Sequence, residues 1–174
     1  IEANKTTLKG SGTQASEIEI SGNLDNNSNL YSTGNVTVGK DVKNKGQIIS
    51  ENSLDIKGSL DSDNLVYGKN EIRVGKSLVN RSDIQSEGNI TVSEDTINTG
   101  TMISEGNISL NSLDNSGEIT SNKKLTTTTL ENRSGAKIST GEGIQNNGTR
   151  NLGEINTNDN FVILGNLENY SVMN

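Results

Sequence analysis

Ile18, Val36, Leu54, Ile72, Ile90 and Ile108 recur at steps of 18 residues, and the series runs on through Leu125, Ile144 and Phe161 at steps of 17, 19 and 17. A second apolar residue follows two positions later, at Ile20, Val38, Ile56, Val74, Val92, Leu110 and Ile163. Residues i and i+2 share one face of a strand, so this pairing marks a strand and not a helix. A third of a period further on stand Leu24, Val42, Leu60, Leu78, Thr96, Leu113, Leu130 and Leu167. The last third brings Leu30, Ile48, Val66, Ile84, Met102, Ile119, Ile138, Ile155 and Met173. Each unit therefore turns apolar side chains inward on three short segments.

A unit of 18 residues is too short for a helix pair and too long for one strand. It suits one coil of a parallel β-helix, three short strands joined by turns. Coils stacked at the usual interstrand spacing of about 4.8 Å would give nine of them a length of roughly 43 Å. The pattern predicts an all-β array over 18–174 that is a fragment of a longer array, with residues 1–17 an irregular or partial coil. The stretch Gly141–Asn160, with its displaced Leu152, reads as a loop bulging from the rod.

A polar column accompanies the apolar ones. Two residues after the leucine column stand Asn26, Asn44, Ser62, Asn80, Asn98, Asn115, Asn132 and Asn169. Stacked amides bond to one another and to turn backbone, which predicts an inward structural ladder of Asn26, Asn44, Asn80, Asn98, Asn115, Asn132 and Asn169. Glycines near the corners, among them Gly34, Gly46, Gly88, Gly100, Gly106, Gly117 and Gly148, are expected to supply bends with positive φ.

Composition fits a narrow core. The 174 residues are 28% apolar and 2% aromatic, with no proline, and a residue without an N–H would break a ladder bonded above and below. The net charge of −7 argues against nucleic acid as a partner, because phosphate affinity needs clustered Lys and Arg. No apolar run approaches the roughly 20 residues of a membrane-spanning helix, so no membrane insertion is expected. The first residues have no signal-peptide pattern, which places any export signal outside this chain.

The chain has neither His nor Cys. An imidazole base, a thiolate nucleophile and an ordinary zinc site are thereby excluded, and no cofactor, metal or catalytic residue is assigned. Calcium-binding β-rolls need Gly-Gly-x-Gly-x-Asp units, and none occurs.

The units Gly106-Asn-Ile-Ser-Leu-Asn-Ser-Leu-Asp-Asn-Ser-Gly-Glu-Ile-Thr120 and Ile97-Asn-Thr-Gly-Thr-Met-Ile-Ser-Glu-Gly-Asn-Ile108 resemble the repeats of the filamentous haemagglutinin family. These are large exoproteins of Gram-negative two-partner secretion: adhesins, haemolysin-like proteins and contact-dependent inhibition toxins. The resemblance, over residues 18–173, implies a right-handed parallel β-helix, secretion or display on the bacterial cell surface, and virulence-associated cell adhesion. It further implies an outer-membrane partner transporter that acts on regions outside this chain, and a receptor or glycan on a host or neighbouring cell. With no proline, the chain lacks the Asn-Pro motifs of the family's secretion domain. The six-by-six rhythm also resembles the left-handed hexapeptide β-helix, whose acyltransferases use a His base that is absent here.

Three candidate chemistries read as surface features. Asp61 and Asp63 flank the inward Ser62, with Glu71 and Arg73 as a nearby pair, and a carbohydrate-active β-helix enzyme would need such carboxylates to converge in a groove. The run Thr126–Thr129 would mark an ice-binding face only if neighbouring coils repeated it, which they do not. Asn-x-Ser/Thr triplets abound, and those at Asn35, Asn89 and Asn107 fall on bends. The reading is a non-catalytic structural and adhesion shaft that presents distal binding or toxin domains, with a carbohydrate-active fragment or an autotransporter passenger as alternatives.

Overall fold

The computed structural model describes the backbone of residues 5–8 and all of residues 13–174. It is a β-solenoid of about nine coils, with 25 strands and no helix among the described residues. All strand pairs are parallel, and each strand pairs with the equivalent strand one coil away, as in Val36↔Leu54 and Leu60↔Leu78.

Three faces result. The first runs from Ile18–Ile20 through Val36–Val38, Ser53–Ile56 and Glu71–Val74 to Phe161–Ile163. The second runs from Lys5–Leu8 through Asn23–Asn26 and Val42–Asn44 to Leu167–Asn169. The third is a separate sheet of nine strands, from Thr13–Ala15 to Glu154–Thr157. Midway, the first two faces merge because Asn89–Asn98, Ile108–Asn115 and Lys124–Asn132 each cross the corner without a break.

The cross-section repeats with six inward residues. In one coil these are Ile72, Val74, Leu78, Asn80, Ile84 and Ser86, all buried. Four apolar positions per coil suffice because each touches its equivalents above and below, and each fully buried Leu or Ile contributes about 1.5–3 kcal/mol. The low apolar fraction follows from a core one side chain deep.

The irregular steps have a different source from the expected loop at Gly141–Asn160. Ile90 and Thr96 stand six residues apart, whereas Ile108 and Leu113, Leu125 and Leu130, and Ile144 and Thr149 stand five apart. The corner between the first two faces is one residue shorter from Ile108–Asn115 through Gly148–Asn151. Between Leu130 and Ile138 two residues are gained, in the turn Arg133–Ala136. Ala136 N–H donates to the Arg133 carbonyl at 3.0 Å, and Gly135 has φ of 81°, the geometry a type II turn requires. Residues 141–160 form a regular coil. Thr149 occupies the leucine column there and Asn151 the amide ladder.

The corner glycines also work differently from expectation. Among the described residues only Gly135 and Gly143 have positive φ. At Gly46 a Cβ would be driven into the Ser28 carbonyl of the coil beneath, so close stacking of corners excludes a side chain. Ahead of residue 18, Lys5–Leu8 and Thr13–Ala15 pair in parallel with the next coil, with Thr6↔Leu24 and Thr13↔Leu30.

Candidate functional site

The amide ladder is continuous over most of the rod. Asn80 donates from Nδ2 to Asn98 Oδ1 at 2.8 Å, Asn98 to Asn115 at 2.8 Å, and Asn115 to Asn132 at 2.9 Å. Asn132 donates to Asn151 and Asn151 to Asn169, each at 2.9 Å. Interior members also reach a carbonyl at the third-face corner of the next coil, as Asn80 does to Thr101 O at 2.9 Å. One amide thus ties two coils and two faces together. Asn26, Asn44, Asn80, Asn98, Asn115 and Asn132 are buried, whereas Asn169 is exposed.

Ser62 divides the ladder. Asn44 donates to Ser62 Oγ at 3.1 Å, but the serine has one proton and gives it to Asn64 O at 2.7 Å. The relay stops there and resumes at Asn80.

A second polar column escapes the periodicity of apolar residues. Ser32, Ser50, Ser86, Ser104 and Ser121 are buried at the end of the third-face strands. Ser50 donates to Gly34 O at 2.8 Å, Ser86 to Gly68 O at 2.7 Å and Ser104 to Gly88 O at 2.6 Å. The spacing of these serines is visible in the sequence once they are counted as core. At the same corner Asn89 Oδ1 accepts from Asn107 N at 2.8 Å, and Asn107 Oδ1 from Lys124 N at 3.2 Å. The triplet asparagines at the bends are therefore staples between coils.

The lateral faces carry ion pairs. Arg81 binds both Asp61 and Asp63, the latter at 2.9 Å, and Arg73 binds Glu71 at 3.0 Å. On the second face Arg133 clamps Asp114 through two bonds of 2.5 and 2.6 Å, and Arg150 sits 3.1 Å from Glu131 and 3.6 Å from Glu168. Asp114, Glu131, Arg150 and Glu168 edge a shallow depression of about 420 Å³ that also includes Ser112, Thr129 and Gly148.

Arg133 holds the Asp114 carboxyl below its ordinary pKa. A general acid needs a shift in the opposite direction. Asp61 and Asp63, the carboxylates singled out from the sequence, share Arg81 and line one depression with Lys43 and Lys45. Tyr31, Ile49 and Tyr67 form an uncharged stripe on the third face, in register on successive coils. Burial and the Glu87 carboxylate, 2.8 Å from its hydroxyl, push the Tyr67 pKa up to about 12. Among the described residues no three carboxylates are grouped to hold a metal ion.

A comparison with protein-family models, curated proteins and solved structures finds no match for this chain.

Proposed function

We propose that this chain is a non-catalytic shaft segment of a large exoprotein resembling the filamentous haemagglutinin family, wound right-handed and displayed on or secreted from a Gram-negative cell. The observation that carries the reading is the unbroken register of the coils, in which the largest departure is the two-residue insertion at Arg133–Ala136. A chain that spends its polar core residues on tying coil to coil, and its surface carboxylates on arginines, is suited to holding other domains at a distance. Its absence of cysteine suits threading of an unfolded chain through an outer-membrane partner transporter, since a periplasmic disulfide would obstruct passage.

Coil-by-coil stacking lets the emerging end fold as it leaves the pore. The experiment is antibody labelling of intact and permeabilised cells with serum raised against this segment, with and without the partner transporter. Labelling of intact cells that disappears with the transporter is the expected result. Labelling confined to permeabilised cells, or surface labelling independent of the transporter, overturns the reading.

A further inference from the structure

Of the chain's asparagines, only Asn147 precedes a glycine. It is exposed on the corner between the first two faces, where its backbone N–H donates to the Thr128 carbonyl at 3.1 Å. Its side-chain amide has no hydrogen-bond partner among the described residues. The comparable asparagines are held. Asn111, at the same corner two coils earlier, accepts from Thr128 Oγ1 at 3.2 Å and is followed by Ser112. Asn35, Asn89 and Asn107 each accept a main-chain N–H of the next coil. Nothing in the stacking calls for glycine at 148. Its φ is not positive, and a Cβ there would meet nothing closer than the Asn166 carbonyl oxygen at 3.8 Å, whereas at Gly46 or Gly141 it would be driven into a carbonyl of the coil beneath. Gly148–Asn151 is paired with a coil on either side, so this openness belongs to the corner itself.

We infer that Asn147-Gly148 is a site of spontaneous covalent modification, at which the chain converts its own amide to a carboxylate. The main-chain nitrogen of Gly148 attacks the Asn147 side-chain carbonyl carbon and closes a five-membered imide. The Cγ–Nδ2 bond breaks, and the amide nitrogen leaves as ammonia with the Gly148 proton. Water then adds to either imide carbonyl and opens the ring, giving aspartate, or isoaspartate with the main chain routed through the side chain. Nucleophile and electrophile are neighbours in one chain, so the reaction is intramolecular and needs no partner. Glycine leaves the attacking nitrogen unshielded and the local backbone free to turn toward it. The unbonded amide completes the condition, because no hydrogen bond has to break before the ring closes. Either product sets a negative charge beside an outward column of Asn111 and Thr128. Isoaspartate also adds a methylene to the main chain at the head of Gly148–Asn151, the strand that carries the amide ladder from Asn132 through Asn151 to Asn169. The inference stands apart from surface display, because both reactants lie in this chain.

The test ages the whole folded chain at mildly alkaline pH, where the attacking nitrogen loses its proton more readily. The tryptic peptide Ile138–Arg150 is followed by mass and by isoaspartate methyltransferase labelling. Asn147 is expected to react before any other asparagine, with isoaspartate among the products and a rate that rises with pH. Gly148→Ala, which the open corner accommodates, slows the reaction by about fivefold, the rate equivalent of the backbone freedom that a Cβ removes. Asn147→Gln, which closes only to a less favourable six-membered ring, abolishes the signal, and both variants keep the far-ultraviolet spectrum of the parent. No modification at Asn147 while a synthetic peptide of residues 138–150 reacts under the same conditions, an equal rate at Asn111, or a rate unchanged by Gly148→Ala each overturns the inference.

Discussion

Thr96 stands between Leu78 and Leu113 in an apolar column, 1% exposed, and its hydroxyl has no hydrogen-bond partner among the described residues. Thr96→Val removes that buried group at nearly constant volume, so the denaturant midpoint rises, with a gain of about 1 kcal/mol. Asn98 is the opposite case. Asn98→Leu strands the Asn80 amide and removes a donor from Asn115, which lowers stability by about 1–3 kcal/mol in the same measurement. Asp114 carries the acid sensitivity. Its folded pKa is depressed by Arg133, so its contribution is present above the ordinary carboxylate pKa and is lost as pH falls through the lower folded value. A pH series of melting temperatures for Asp114→Asn should be flatter in that acid range than for the parent chain, and the difference should shrink with salt because the pair is largely exposed.

At the level of strands and turns, legibility depended on equal corners. Where each corner consumes six residues, from Ile18 to Ile108, the inward apolar residues and the amide ladder are found by counting. After Leu125 the count still finds Leu130, Asn132, Ile138, Ile144 and Ile155 but misses others, because a residue is lost at one corner and two are gained at the next, and because the core there is polar. Thr127, Asn146 and Thr149 are buried at positions where apolar residues were sought, and Asn146 donates to Thr149 Oγ1 at 2.6 Å. Asn151 was hidden by the same shift, and the serine column by its polarity. Ladder bonds were legible in position but not in continuity, since nothing in the spacing says that Ser62 spends its proton sideways. The turns differ in what they tolerate. Gly46→Ala pushes a methyl into the Ser28 carbonyl and should cost about 1–3 kcal/mol, whereas Gly135→Ala, in open space at positive φ, should cost about 1–2 kcal/mol from backbone conformation alone. Urea melts of the two variants, with Ser134→Ala as a control, compare them.

Across the whole rod, stability is a sum of coil interfaces, each coil bonded to its neighbours through all three faces. Hydrogen exchange should therefore be slow at buried strands such as Val66–Gly68 and Glu71–Val74 and faster at the exposed turn 133–135, where the coil gains two residues. Uniform protection along the chain would contradict this additive picture. The amide and serine ladders and the main-chain bonds of all three faces run along the same axis, from coil to coil. Tension applied at the two ends thus falls on one turn of bonds at a time. Each coil that yields releases 18 residues, about 60 Å of extended chain, in exchange for about 4.8 Å of rod. Pulled, the rod would lengthen in steps more than tenfold longer than the coils they consume, a shock absorber whose reserve is wound up in its own stacking.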